Sequence, residues 1–266
     1  KILEVRNKKI AFFDSGVGGL TVFKKMKALL PNEDYIYFGD LKNLPYGAKK
    51  RDELISISRK VFDFFAKKNV KAVVMACNTT SAIAYEPLKD DYSFKIYPVI
   101  QSCAESISKL DAKNFCVLAT NATVNSHAYL ENIKKYKPTA NVLEIPCPEW
   151  VPIVEEKRVF EPDSVEIIKK YLFEALKHAP EKIILGCTHY PFLLPVLTKF
   201  APAEMFINPS DAFTEYIKGD LTYNNLLSGS KMGSEEFFVS DYPDRFKIAA
   251  SMFYEIKNLP QKISLG

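Results

Sequence analysis

The chain alternates short apolar runs with longer amphipathic stretches. Residues 10–13 and 35–38 are apolar runs that predict strands, and residues 20–30 carry apolar side chains at helical spacing. Residues 54–65 repeat that helical spacing, and residues 72–76 have the uniform apolar character of a strand buried on both faces. Strands that alternate with helices in this way predict an α/β fold with a doubly wound, mainly parallel sheet.

The same order recurs in the second half of the sequence. Residues 115–119, 142–145 and 182–185 are predicted strands, helical signals follow the first of them as far as residue 136, and residues 164–177 are a predicted helix. The first strand and the strand before a cysteine begin 62 residues apart in one half (10 and 72) and 67 apart in the other (115 and 182). This internal repeat predicts two pseudo-symmetric doubly wound α/β domains with a cleft between them.

The remaining segment predicts one more strand at residues 235–239 and a helix at residues 244–254. We expect this segment to pack back on the first half. The first domain is then discontinuous and comprises residues 1–98 plus 206–266, whereas residues 99–205 form the second domain.

Composition and charge exclude several classes of protein. The chain of 266 residues is 47% hydrophobic and 26% charged, which is typical of a globular protein with a core. Its net charge of +4 is too small to indicate a nucleic-acid partner. The longest aliphatic stretch, residues 72–77, is too short to cross a membrane. Residues 1–6 lack the apolar core of a signal peptide, so we expect a cytoplasmic protein.

The cysteine pattern also argues against disulfides. The sequence has five cysteines, an odd number, and none of them form a C-x-x-C pair. This pattern indicates neither a disulfide framework nor a zinc knuckle and agrees with a reducing compartment. We interpret Cys103, Cys116 and Cys147 as small core residues, since free cysteine is among the most buried residue types.

Polar or reactive side chains follow four of the predicted strands. These are Asp14, Cys77, Thr120 and Cys187. Ligands of open α/β sheets bind outside the carboxyl ends of the strands, so we expect the four residues to face one cleft. One thiolate there can remove a proton from a tetrahedral carbon while a thiol on the opposite face returns one. Such a pair inverts a stereocentre.

Neighbouring residues fit that chemistry. Asp14 is the candidate to poise Cys77, and His189 lies two positions after Cys187. Neutral donors suited to carboxylates surround the cysteines, namely Ser15, Asn78, Thr79, Thr120, Thr123 and Thr188. No lysine or arginine lies within the cysteine motifs, where it would trap a thiol as a permanent ion pair.

Other interpretations of these residues stay open. Cys77, Cys187 and His189 are residue types that bind zinc, although they lack the usual ligand spacing and a clear fourth ligand. The glycines at positions 16, 18 and 19 do not form a nucleotide-binding motif and are explained by a tight strand-to-helix turn. Asp40 and Glu155 are either solvated charges or partners of the site.

Four ordered motifs resemble those of bacterial glutamate racemases. They are DSGVGGL at 14–20, PYG at 45–47, CNT at 77–79 and GCTHYP at 186–191, and the likeness covers nearly the whole chain. Aspartate and hydantoin racemases share the two cysteines but match the first two motifs less well. Thr80 and residues 41–44 depart from the usual pattern, which affects the wall of the expected pocket. The family members controlled by a cell-wall precursor carry a long N-terminal extension that this sequence does not show, so we expect no such control.

The resemblance implies a homodimeric enzyme that interconverts L- and D-glutamate and supplies D-glutamate for peptidoglycan. It implies no pyridoxal phosphate, metal or nucleotide. Cys77 and Cys187 are then the acid/base thiols, with Asp14 assisting Cys77 and with His189 and Glu155 assisting Cys187. The substrate-holding positions implied are Asp14, Ser15, Tyr46, Gly47, Asn78, Thr79, Thr120, Thr123, Thr188 and His189. The alternatives are an aspartate or broad-specificity racemase and a non-catalytic protein that binds acidic amino acids.

Overall fold

The computed structural model describes residues 2–266, whose strands form two parallel sheets. The strands are β1 (Lys9–Asp14), β2 (Tyr35–Gly39), β3 (Val70–Met75), β4 (Lys95–Pro98), β5 (Asn114–Ala119), β6 (Asn141–Pro146), β7 (Lys182–Gly186), β8 (Phe206–Ile207), β9 (Glu235–Val239) and β10 (Gln261–Lys262).

The helices connect these strands and cover the sheets. They are α1 (Ile2–Arg6), α2 (Leu20–Leu29), α3 (Arg51–Lys67), α4 (Asn78–Leu88), α5 (Val99–Ser108), α6 (Asn121–Ser126), α7 (Ala128–Tyr136), α8 (Trp150–Glu155), α9 (Pro162–Leu176), α10 (Leu194–Leu197), α11 (Pro209–Tyr223) and α12 (Pro243–Ala250). Short 3₁₀ turns lie at Leu41–Asn43, Tyr46–Ala48, Tyr190–Leu193 and Ala203–Met205. No helix within residues 2–266 is both long and apolar enough to cross a membrane.

The two sheets repeat one strand order. The first sheet runs β10-β9-β2-β1-β3-β4 and the second runs β6-β5-β7-β8, with parallel pairing throughout. The order β2-β1-β3-β4 therefore matches β6-β5-β7-β8. In each sheet the chain first adds a strand on one side of the starting strand and then continues on its other side. The order therefore reverses between β1 and β3 in the first sheet and between β5 and β7 in the second, and these positions are the switch points. The predicted fold of two doubly wound α/β units is confirmed.

The segment after the second sheet returns to the first, because β9 pairs with β2. The domain boundaries stay a prediction with one adjustment: Phe206–Ile207 pairs with β7 in the second sheet, although residues from 206 onward were assigned to the first domain. Lys1 of that predicted domain lies outside the described residues.

Two predicted helices differ from the observed ones. The helical stretch after residue 120 is broken at His127, which takes a left-handed conformation with φ 56° and separates α6 from α7. The helix predicted for residues 244–254 ends at Ala250 instead. The chain turns there and buries Phe253, whose ring lies 4.4 Å from that of Phe192 and 6.1 Å from that of His189.

One hydrophobic core joins both sheets. It contains Phe12 and Val74 from the first sheet, Val117 and Ile184 from the second, and Ile217 of α11. Two further clusters fill the outer faces, one under α3 and α4 and one under α8 and α9. The shared core holds the carboxyl ends of the two central strand pairs in a fixed relation to each other.

A buried ion pair closes the opposite, amino-terminal edge of the first sheet. Lys71 Nζ lies 2.5 Å from Glu33 Oε2 and donates to the carbonyls of Arg6 and Leu226 at 2.6 and 2.7 Å. Both side chains are almost completely buried, at 0% and 2% exposure. Burial lowers the pKa of Lys71, and the bond to Glu33 opposes that change. The pair ties α1 and the segment after α11 to the sheet.

We expect Glu33→Ala to lower the free energy of unfolding by about 3–5 kcal/mol, because it leaves the Lys71 ammonium buried without its counter-charge. Glu105→Ala, which removes an exposed pair with Lys109, is the control and should cost about 0.5 kcal/mol or less. Urea denaturation measures both values. A similar small cost for the two variants would contradict this structural role.

Candidate active site

A cavity of about 580 Å³ opens where the carboxyl ends of the two switch points meet. Cys77 follows β3 and Cys187 follows β7, and both thiols line this cavity. Nine other predicted site residues line it as well: Ser15, Tyr46, Gly47, Asn78, Thr79, Thr120, Glu155, Thr188 and His189. The internal repeat therefore places one cysteine of each half at a shared site.

Cys187 belongs to a relay of three side chains. His189 Nδ1 lies 3.8 Å from Cys187 Sγ, and His189 Nε2 lies 3.1 Å from Glu155 Oε1 at the end of α8. Burial opposes the charged imidazole, but the bonds to Cys187 and Glu155 outweigh it and raise the pKa of His189 to about 10. Burial likewise opposes the charged form of Glu155, yet His189 and Arg245 lower its pKa. At neutral pH an imidazolium thus lies beside the Cys187 sulfur.

Cys77 has the opposite electrostatic environment. Burial, followed by the nearby Asp14 carboxylate, raises the pKa of Cys77 to about 12. Hydrogen bonds from the backbone N–H and the hydroxyl of Thr80 partly offset this shift. Cys77 also caps the N-terminus of α4, which favours the thiolate less strongly than burial disfavours it. Cys77 is therefore a thiol at neutral pH.

Asp14 lies behind the cavity wall and not on it. Its side chain is fully buried, and Oδ2 accepts a hydrogen bond from the Gly16 N–H at 2.9 Å. Its Oδ1 is buried and has no hydrogen-bond partner within residues 2–266. Burial raises the pKa of Asp14, although the Gly16 N–H and the His189 charge oppose that change. This oxygen is available to exchange a proton with a group nearby.

Three threonines link the halves at the back of the cavity. The hydroxyls of Thr79 and Thr120 lie 2.9 Å apart, and Thr123 lies 3.1 Å from Thr120 and 3.4 Å from Thr79. Thr123 is fully buried and does not line the cavity, so it supports the other two hydroxyls instead of facing a ligand. The predicted substrate-holding set is therefore divided between cavity-facing and supporting residues.

Tyr46 and Asp40 form a second buried pair. The Tyr46 hydroxyl donates to Asp40 Oδ2 at 2.5 Å, and Asn43 Nδ2 donates to both oxygens of the same carboxylate at 2.9 and 3.0 Å. Asp40 is fully buried, so it is a supporting partner and not a solvated charge. The Tyr46 ring lines the cavity, whereas its hydroxyl is already committed to Asp40.

Two glycines allow the halves to approach closely. A Cβ atom on Gly18 would lie 2.8 Å from His189 Cε1, and one on Gly47 would lie 2.8 Å from Thr120 Cβ. Both distances are far below an ordinary contact, so no larger residue fits at either position. The sequence accounts for Gly18 by a tight turn alone, and the structure adds its close approach to His189.

Sequence reasoning missed several residues that line the cavity. Cys147 was interpreted as a core residue, and it is fully buried, but it also lines the cavity. Lys42, Tyr242 and Arg245 reach the cavity from the two exposed segments around it. Arg245 belongs to α12, and its charge contributes to the lowered pKa of Glu155. No motif in the sequence connects α12 to the cysteines, so only the fold reveals Arg245.

The arrangement suits proton transfer on both faces of a carbon atom. Two cysteine side chains, one of them beside an imidazolium, line one cavity whose other polar groups are mainly neutral donors. Within residues 2–266, no group of three or more histidine, cysteine, aspartate or glutamate side chains has an arrangement that could hold a metal ion. The geometry thus supports the acid/base interpretation of the cysteines over the zinc alternative.

Comparisons with known proteins match most of the chain. The sequence pattern of the Asp/Glu/Hydantoin racemase family matches residues 17–216. "Glutamate racemase 2" of Caldanaerobacter subterraneus subsp. tengcongensis is 38% identical over 248 residues, which cover 92% of this chain and 93% of that protein. The glutamate racemase of Trichormus variabilis is 36% identical over 244 residues, covering 91% of this chain and 83% of that protein.

Solved structures share the fold over nearly the whole chain. The crystal structure of glutamate racemase from Francisella tularensis in complex with D-glutamate superimposes with a TM-score of 0.92 at 34% identity, and the alignment covers 98% of each chain. The aspartate racemase of Picrophilus torridus has a TM-score of 0.58 at 19% identity and covers 82% of this chain and 97% of its own, which shows a shared fold alone.

The buried charge on His189 predicts a pH-dependent stability. The folded-state pKa of about 10 exceeds the ordinary value of 6.5, so the stabilisation is complete below pH 6.5 and is lost as pH rises through about 10. Between about pH 8.5 and 10 the unfolded chain holds no proton on either His189 or Cys187, and we expect the charge on His189 to make the unfolding free energy fall by up to about 1.4 kcal/mol per pH unit.

Urea titrations of His189→Asn over the same pH range should lack this slope. The exposed His178, 3.9 Å from Glu174, offers the matched control, and His178→Asn should keep the wild-type slope. Equal slopes for the wild type and His189→Asn would show that His189 is not charged in the folded protein.

Proposed function

The chain belongs to the Asp/Glu/Hydantoin racemase family of isomerases, and we propose that it interconverts L- and D-glutamate by a two-cysteine mechanism. The observation that carries this proposal is the pair of cysteines that line one cavity, with His189 beside Cys187 and Asp14 near Cys77. Racemisation needs a base on one face of the α-carbon and an acid on the other, which is what such a pair provides.

In the first direction of the proposed reaction, Cys187 starts as a thiolate and Cys77 as a thiol. The Cys187 thiolate, paired with the His189 imidazolium, removes the α-proton of L-glutamate, and the S–H bond forms as the C–H bond breaks. The Cys77 thiol then donates its proton to the opposite face and becomes the thiolate. Asp14, whose charge disfavours the Cys77 thiolate, keeps Cys77 protonated until the carbanion forms, although the raised pKa also makes this thiol a weaker acid.

The reverse direction exchanges the roles. D-glutamate loses its α-proton to Cys77, and Cys187 returns one to the other face. Asp14 Oδ1 is the free oxygen that can take the proton from Cys77 and prepare its thiolate. His189 and Glu155 support Cys187 as the donor on the other side.

Neutral donors in the cavity suit the carboxylates of glutamate. Ser15, Asn78, Thr79, Thr120 and Thr188 line the cavity on both sides of the thiols. Donors of this kind bind carboxylates without supplying a fixed counter-charge that would compete for the thiolate. The relative from Francisella tularensis was solved in complex with D-glutamate, which supports the same substrate class here.

The wider role belongs to the same proposal. D-glutamate formed by this reaction would supply peptidoglycan synthesis in the cytoplasm. All five cysteines are free thiols, which agrees with a reducing compartment. The proposed reaction uses protein side chains alone, and the homodimer implied by the family resemblance stays a prediction.

The central test uses heavy water and each glutamate enantiomer. The wild type should convert either enantiomer to an equal mixture and place deuterium at Cα. Polarimetry measures the inversion, and proton NMR measures the deuterium at Cα. Cys77→Ala and Cys187→Ala should each lose racemisation, because water does not replace the missing donor in a closed cavity. Any exchange that survives should be confined to L-glutamate in Cys77→Ala and to D-glutamate in Cys187→Ala.

Cys103→Ala is the matched control, since Cys103 is fully buried in the core away from the cavity lining. Near wild-type racemisation in either site variant would contradict the two-thiol mechanism.

Comparable kcat/KM for aspartate and glutamate would indicate a broad-specificity or aspartate racemase, because a site built for glutamate leaves donors unpaired when the side chain is one methylene shorter. Glutamate binding without exchange would indicate a binding protein.

Isotope effects test the side-specific roles of Asp14 and His189. Enantiomers have equal free energy, so the two directions of kcat/KM stay equal in every variant. Asp14→Asn should raise the barrier at Cys77 more than at Cys187, so that proton transfer at Cys77 controls more of the rate. With substrate deuterated at Cα, the isotope effect on kcat/KM should then increase for D-glutamate and decrease for L-glutamate.

His189→Asn should give the opposite pattern, since it raises the barrier at Cys187. Competitive measurements of both enantiomers in both variants provide the four values needed. A shift in the same direction for both variants would show that the assigned sides are wrong.

A further inference from the structure

We infer that Tyr129 is a positioning residue of this site. It fixes the side-chain orientation of Asn78 and packs between the segment that follows Cys77 and the segment that precedes Cys187. Tyr129 lies on α7 in the second half of the chain, and Asn78 directly follows Cys77 in the first half. The inference rests on the proposed function, since it concerns how the cavity holds the substrate.

The first step of the argument is a buried hydrogen bond. The Tyr129 hydroxyl donates to Asn78 Oδ1, and both residues are buried, Tyr129 completely. Burial raises the pKa of Tyr129 well above its ordinary value, so the phenol keeps its proton and stays a donor. With its oxygen held by Tyr129, the Asn78 carboxamide directs its NH₂ group toward the cavity that the residue lines.

The second step concerns the other cysteine. A Cβ atom on Gly186, the residue before Cys187, would lie 3.2 Å from Tyr129 Cε2. The Tyr129 ring therefore packs directly against the backbone that positions Cys187, while its hydroxyl binds the residue after Cys77. A single buried side chain thus contacts the chain neighbours of both thiols.

The consequence for the substrate follows from hydrogen-bonding capacity. An NH₂ group facing the cavity donates to a carboxylate, whereas an amide turned by 180° would present an acceptor and repel it. Asn78 without Tyr129 is free to take either orientation. Tyr129 therefore contributes affinity for the substrate carboxylate without touching the substrate.

The test compares Tyr129→Phe in two backgrounds. In the wild-type background we expect KM for both glutamate enantiomers to rise about tenfold while kcat changes less than about threefold, as for the loss of an oriented hydrogen bond in ground-state binding. In the Asn78→Ala background the same substitution should change kcat/KM less than about twofold, because the residue through which it acts is gone.

Tyr35→Phe is the control for losing a buried phenol hydroxyl. The Tyr35 hydroxyl donates to the Leu30 carbonyl at 2.7 Å, and Tyr35 starts β2 at the sheet edge opposite the cavity. This variant should lose thermal stability with KM unchanged. Asn78→Asp gives an independent measure of orientation: with one oxygen bound to Tyr129, the other faces the substrate carboxylate, and KM should rise about 100-fold or more.

An unchanged KM in Tyr129→Phe, the same tenfold loss in the Asn78→Ala background, or a near wild-type KM in Asn78→Asp would each overturn the inference. Calorimetric titration with D-glutamate repeats the comparison without turnover. A wild type that binds glutamate but does not racemise it would overturn the proposed function while leaving Tyr129 testable by this titration. A wild type that neither binds nor racemises glutamate would overturn both.

Discussion

The charged imidazole of His189 is the group on which the site depends. A cation buried this deeply is unfavourable unless its partners outweigh the loss of water, and Cys187 and Glu155 supply that compensation. Their positions follow from the ends of β7 and α8. Gly18 leaves room for the ring, and Phe253 packs at its edge, so the loop after β1 and the turn after α12 both help to enclose the charge.

That enclosure explains why the two halves meet so closely. The paired threonine hydroxyls of residues 79 and 120, the contact of Gly47 with Thr120 and the bond from Tyr129 to Asn78 all cross between the halves around the cavity. These contacts leave Cys77 and Cys187 only 7% and 8% exposed, which limits the access of bulk water that would exchange protons with the thiols. The shared hydrophobic core beneath the cavity keeps these contacts in register.

Much of this arrangement could be predicted because it lies at strand ends. Uniform apolar runs mark β3, β5 and β7, and the residues after them are the cavity residues Cys77, Thr120 and Cys187. Tyr129, Cys147 and Arg245 lacked any such signal, since their roles depend on which helix packs over which loop. The break between α6 and α7 was also missed, because it occurs at a left-handed histidine and not at glycine or proline.

The site is asymmetric although the proposed reaction is not. L- and D-glutamate have equal free energy, so the different surroundings of Cys77 and Cys187 cannot favour either product. In the proposed reaction they instead determine which cysteine carries the proton between turnovers, and the raised pKa of Cys77 beside Asp14 makes Cys77 the protonated one. After each turnover to D-glutamate a proton must pass from Cys187 back to Cys77 before the next L-glutamate reacts. The free oxygen of Asp14 on one side and the His189–Glu155 pair on the other are the groups placed to carry it.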